Sequence, residues 1–145
     1  MNKEHEKFTV SQWGALIRNN KCLILRAVGN GYWELPGGRI EVDELDTSTA
    51  EEAFRREIKE ELGFDEFQIV RPLGSMIGYT LKNHTPTCRI IYAIKNDAAE
   101  LSISAEHEEY RWVGFEDLEN YIFSPLKNSV ELKSIIKTAL SEKLK

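Results

Sequence analysis

The sequence predicts an α+β fold, a mixed β-sheet flanked by one helix near the middle of the chain and one at its end. Three observations carry this. Short apolar-rich runs separated by turn residues fill the first third of the chain. A charged segment, AEEAFRREIKEEL, has helical periodicity and ends at Gly63. Leu132, Ile135, Ile136, Ala139 and Leu140 recur at helical spacing near the end.

In chain order, residues 8–18 and 21–28 flank the turn signal Asn19-Asn20 and predict a β-hairpin. Gly29-Asn30-Gly31 begins a loop, 32–35 is a short strand stopped by Pro36-Gly37-Gly38, and 39–42 is a further short strand. Residues 43–49 form an acidic, threonine-rich loop. Ser48 with Glu51 fits a capping box and starts a helix that runs to Leu62. Residues 67–82 and 87–95 alternate as strands around the turn-like Lys82-Asn83-His84-Thr85-Pro86. Residues 110–113 form another short strand, 115–120 one or two helical turns, and 130–143 the last helix. The elements assemble as an α+β sandwich.

A chain of 145 residues without repeat or linker is expected to form a single domain spanning 1–145. Apolar residues make up 41% and charged residues 30%, a globular composition. A net charge of −5 argues against a nucleic-acid or anionic-membrane partner, because phosphate neutralisation needs clustered Lys and Arg. Cys22 and Cys88 lie far apart without a CxxC pattern and read as small apolar strand residues. The start, MNKEHEKF, lacks the apolar run of a secretory signal, and no apolar run is long enough to span a bilayer. A reduced, cytoplasmic setting is expected.

The middle helix poses a charge problem. Each residue turns the helix by about 100°, so Ala50, Ala53, Phe54 and Ile58 share the face that meets the sheet. Glu57 and Glu61 fall within that same arc. Glu51 reaches Arg55, Glu52 reaches Arg56, and Arg56 can also reach Glu60, which leaves the two inward carboxylates without a helical partner. A solvated charged helix explains Glu51, Glu52, Arg55 and Lys59 but not Glu57 and Glu61, since burying unpaired carboxylates is expensive. A hard divalent cation, which takes carboxylate oxygens, removes the difficulty.

The segments GGRIEVDEL and RREIKEELGF resemble the Nudix box: G, five residues, E, seven residues, then R-E-U-x-E-E-x-G-U, where U is aliphatic or aromatic. Gly38 and Glu44 supply the first two positions, and Arg56, Glu57, Ile58, Glu60, Glu61, Gly63 and Phe64 the second half. The preceding WELPGG is similar to the usual lead-in, and EHEEYRWVGFEDLEN to a late strand and short helix of many members. Eleven residues, rather than seven, separate Glu44 from Arg56; the extra four fall in the loop before the helix, and whether Glu44 still reaches Arg56 is open.

This resemblance implies an α/β/α sandwich and a hydrolase acting on a nucleoside diphosphate linked to another moiety. It implies Mg²⁺ (or Mn²⁺) held by Glu57, Glu60 and Glu61, with Arg56 orienting the carboxylates and Glu44 supporting the site. Glu106, Glu108 and Glu109 are candidates for a further acidic contribution, and the general base is either a box glutamate or one of these. Gly37 and Gly38 allow close backbone approach, Arg26 is a candidate phosphate contact, and Trp33, Tyr79 and Tyr92 are candidates to stack on a base. The small size favours a (d)NTP or related small nucleotide as partner. A homodimer is compatible with the sequence. The competing readings are a Nudix-like nucleotide-binding or regulatory domain without catalysis, and a purely structural domain.

Overall fold

The computed structural model describes residues 3–124 and 128–142. Its elements are β1 (Thr9–Arg18), β2 (Lys21–Ala27), β3 (Trp33–Glu34), β4 (Gly37–Arg39), α1 (Glu44–Thr47), α2 (Ala50–Leu62), β5 (Gln68–Tyr79), β6 (Pro86–Lys95), β7 (His107–Val113), a 3-10 turn (Phe115–Asn120) and α3 (Asn128–Ser141). The predicted last helix extended to Lys143, which lies outside the described residues.

The strands form one seven-stranded sheet in the order β3-β2-β1-β6-β5, with β4 against β1 and β7 against β2. The sheet is mixed: β1 runs parallel to β6 and antiparallel to β2 and β4. Asn19 and Asn20, at φ 50° and 61°, make the tight hairpin turn that pairs Ile17 with Cys22; positive φ at both central residues matches the right-handed twist of the flanking strands.

Strand alternation divides the core in two. Cys22 and Ile24 of β2 pack with Leu132, Ile136 and Ala139 of α3 on one face. Leu23 and Leu25 pack with Phe54, Ile58 and Leu62 of α2 on the other. The result is the predicted layered sandwich with a helix on each face. Among the described residues no helix is long and apolar enough to cross a membrane.

Local details differ from the sequence expectation. The loop before α2 contains a helical turn, α1, closed by an extended Ser48. Because Ser48 ends that turn, the capping box sits one residue further on. Thr49 Oγ1 accepts from Glu52 N at 3.1 Å, and Glu52 Oε1 accepts from Thr49 N at 3.0 Å. β4 occupies Gly37–Arg39 rather than 39–42. Gly37 is part of the strand rather than its stop: at φ 146°, a Cβ there would lie 2.1 Å from Gln12 O, so only glycine lets β4 approach β1 this closely. β7 begins at His107, three residues before the predicted Tyr110, because Ala27 and Arg26 of β2 pair with His107 and Glu109.

Thr49→Ala is expected to lower unfolding stability by about 1 kcal/mol, while Ser48→Ala changes it by less than about 0.5 kcal/mol. Urea unfolding of the two variants checks the position of the cap.

Candidate active site

α2 buries Ala53, Phe54, Ile58 and Leu62 against the sheet, and the same rotation carries Glu61 and Glu57 inward. Glu61 is 6% exposed, and the Glu57 side chain is 12% exposed. Glu57 lies directly on the backbone of β4: a Cβ on Gly38 would fall 2.1 Å from Glu57 Oε2. The glycine therefore makes the space in which this carboxylate sits.

The sequence leaves both inward carboxylates without partners; the structure supplies them. Arg56 contacts the adjacent Glu57 at 2.8 Å and Glu60 at 3.1 Å. It also binds Glu44 through two bonds, Nη2 to Oε1 at 2.6 Å and Nε to Oε2 at 2.8 Å. The open question about the longer spacer is thus answered. The extra residues include the turn α1, and the Glu44 carboxylate at its start reaches Arg56 of α2. Glu44 is buried, and the bond from Arg56, followed by one from Glu41 N, holds its pKa below the usual carboxylate value. The bond to Glu44 is also the main cause of the raised pKa of Arg56. Burial pushes Glu57 from 4.5 to about 7, with Arg56 offsetting only part of that desolvation.

Glu61 is compensated from elsewhere. Ser104 Oγ donates to Glu61 Oε2 at 2.9 Å, and His107 Nδ1 lies 3.0 Å from the same oxygen. The opposite ring nitrogen, Nε2, is 2.7 Å from Glu34 Oε1. Burial alone would lower the pKa of His107, but bonds to Glu34 and Glu61 outweigh it and raise the value to about 9. Ser104 and His107 did not emerge from the sequence as site residues. The only signal was a histidine and polar neighbours at the mouth of a strand.

A cleft of about 720 Å³ opens beside these groups, lined by Gly37, Gly38, Glu57, Glu60, Glu61, Ser104 and Glu106 among others. Of the acidic candidates, Glu106 lies just before β7 and enters the cleft, whereas Glu108 and Glu109 lie within β7 and are each 2.9 Å from Arg26. Arg26 is therefore engaged away from the cleft. Tyr79 stacks on His84 at 3.9 Å between centroids, also away from it. Tyr92 packs on Phe54 in the core. Trp33 lines a separate cavity of about 250 Å³ together with Trp13, Glu34, Met76 and Arg89. Arg89 lies over the Trp13 ring at 5.1 Å, and burial lowers its pKa. The Trp33–Arg39 stretch contributes to both openings, with Glu34 in the cavity and Gly37 and Gly38 in the cleft.

Among the described residues, no three His, Cys, Asp or Glu side chains converge tightly enough to enclose an ion in this arrangement. Here Arg56 contacts Glu57, and Ser104 with His107 contact one oxygen of Glu61.

A layered α+β sandwich with a glutamate-bearing helix laid over a glycine strand is the class that the structure defines, and comparison with known proteins places it in a family. The NUDIX domain model matches residues 9–136. Nucleoside triphosphatase NudI of Klebsiella pneumoniae is 36% identical over 106 residues, 66% of this chain and 71% of that protein. The mouse asymmetrical bis(5'-nucleosyl)-tetraphosphatase is 32% identical over 101 residues, 66% of this chain and 65% of that protein. The fold matches the MutT protein of Methanosarcina mazei with a TM-score of 0.72 at 21% identity, covering 97% of this chain and 100% of the other. A C. elegans Ap4A hydrolase matches with a TM-score of 0.72 at 19% identity, covering 92% and 96%. The chain belongs to the Nudix hydrolase family.

Because the folded-state pKa of Glu57 lies above its ordinary value, its contribution to stability is complete below pH 4.5 and is lost as pH rises through about 7. In chelator, the melting temperature of Glu57→Gln is expected to gain on that of the wild type across this window. Calorimetry at stepped pH checks it; a constant difference would contradict the assignment.

Proposed function

We propose that the chain is a divalent-cation-dependent hydrolase. It cleaves the diphosphate bridge of a nucleoside diphosphate linked to another moiety, a (d)NTP or related small nucleotide, with Mg²⁺ or Mn²⁺ as cofactor. The observation that carries this reading is the cleft in which Glu57, Glu60, Glu61 and Glu106 meet the glycine strand at Gly37 and Gly38.

The donor chemistry fits a hard cation. The candidate ligands are carboxylate oxygens, which Mg²⁺ and Mn²⁺ accept. Glu57 has been desolvated beyond what Arg56 compensates. Among the described residues, Glu61 Oε1 accepts no hydrogen bond, because both donors fall on Oε2. Glu57, Glu60 and Glu61 would hold the ion. When bound, it neutralises phosphate charge and makes a water more acidic.

The chain's own groups do the rest. Arg56, fixed by Glu44, orients Glu57 and Glu60 and keeps three carboxylates from repelling one another. Gly37 and Gly38 act through packing: the first lets β4 lie against β1, and the second gives the Glu57 carboxylate its place on the strand that lines the cleft. We assign to Glu106 the proton of the attacking water. The aromatic cavity with Trp13 and Trp33 takes the base, which the flat ring faces suit. The two relatives, a nucleoside triphosphatase and a bis(5'-nucleosyl)-tetraphosphatase, support this substrate class.

Phosphate and pyrophosphate release from a panel of nucleotides tests the proposal. Activity is expected with Mg²⁺, to vanish in chelator, and to fall at least ~100-fold in Glu61→Gln, beyond the loss typical of removing an outer-shell partner. Activity that survives chelator and Glu61→Gln would refute it. Trp33→Ala is expected to raise KM for the preferred nucleotide by ~10-fold with kcat little changed, the value of one lost stacking contact.

A further inference from the structure

We propose that His107 is a positioning residue: by donating from Nδ1 it fixes one oxygen of Glu61 and leaves the other free for a cation. The inference rests on the cation-binding reading of the cleft and deepens it.

The device starts from the helix end. The last carbonyls of a helix lack intrahelical donors. Here Ser102 N donates to Leu62 O at 2.9 Å, and Ser104 N donates to Glu61 O at 3.2 Å. These bonds set the loop before β7 in register with the end of α2. His107 N then donates to Ser104 O at 3.1 Å, which brings the ring under Glu61. The His107 side chain is 1% exposed, and its nitrogens face Glu61 Oε2 at 3.0 Å and Glu34 Oε1 at 2.7 Å. A carboxylate only accepts, so an imidazole between two carboxylates satisfies both by donating from both nitrogens. It cannot serve as a base while it does so.

Two donors, Ser104 Oγ and His107 Nδ1, converge on Glu61 Oε2. A carboxylate tethered by one oxygen has its plane and its second oxygen fixed before any ligand arrives. Outer partners of ligating groups act in this way, and their loss typically weakens metal affinity by about 10–100-fold. A histidine present only to complete the core would also place a partner at each ring nitrogen, because the side chain is 1% exposed; what separates the two roles is whether cation affinity depends on the donor at Nδ1 and not on that at Nε2. Glu34 also lines the aromatic cavity, so the ring is braced between the walls of both openings.

The two nitrogens can be tested separately. Asn at this position places a donor near Nδ1 but none near Nε2; Gln does the reverse. Mn²⁺ binding is measured by electron paramagnetic resonance without nucleotide, alongside melting temperature, for the wild type, His107→Asn, His107→Gln and Glu57→Gln. The expected result is that His107→Gln binds Mn²⁺ ~10–100-fold more weakly and His107→Asn within a few-fold of the wild type, whatever their melting temperatures. Wild-type affinity in His107→Gln, or equal loss in both His107 variants, overturns the role given to Nδ1. If Glu57→Gln weakens binding while His107→Gln does not, this inference alone fails. If the wild type binds no Mn²⁺, the cation reading fails and this inference with it.

Discussion

The structure is organised around the cost of keeping two carboxylates on the sheet-facing side of α2. Removing a charged group from water without compensation costs several kcal/mol or more. Glu57 and Glu61 are held there by opposing devices. Arg56 reaches Glu57 from the same helix and is itself held by Glu44. Ser104 and His107 reach Glu61 from the loop before β7 and the first residue of that strand, some forty residues later in the chain. Several other features follow from this constraint: the glycine at position 38, the turn α1 that starts at Glu44, and the docking of the loop on the end of α2.

Compensation is deliberately incomplete in physical terms. Glu57 is left with a carboxyl that protonates near neutrality, and Glu61 with one oxygen free of hydrogen bonds among the described residues. A site that fully satisfied both groups would have nothing left to offer a ligand. Residual electrostatic strain of this kind is expected where function opposes stability. Residues 33–39 run along both the cleft and the aromatic cavity, with Trp33 and Glu34 in the cavity and Gly37, Gly38 and Arg39 in the cleft.

What was legible in the sequence was what depends on local periodicity. The hairpin turned at Asn19-Asn20, the inward arc of Glu57 and Glu61, and the stop at Gly63 all follow from spacing within one element. The box resemblance tied the helix to Gly38, although the sequence pattern read Gly37 and Gly38 as a stop and placed the strand at 39–42. What was not legible depends on contacts between distant segments. Ser104 and His107 meet Glu61 only because loop amides satisfy the carbonyls at the end of α2. Arg26 looked free because Glu108 and Glu109 reach it only through the β2–β7 pairing. Ser48 looked like a cap because a single helical turn before α2 leaves almost no periodic signal. Trp13, beside Gly37, read as an ordinary strand residue until its position in the cavity was seen.

The most direct measurement is an anomalous difference map from crystals of the protein grown with Mn²⁺ and a non-hydrolysable nucleotide. The account predicts a peak at about 2.1–2.2 Å from carboxylate oxygens, with Glu57 drawn off Arg56 and Oε1 of Glu61 facing the ion. A map with no peak in the cleft, and with Glu57 still paired to Arg56, would contradict it.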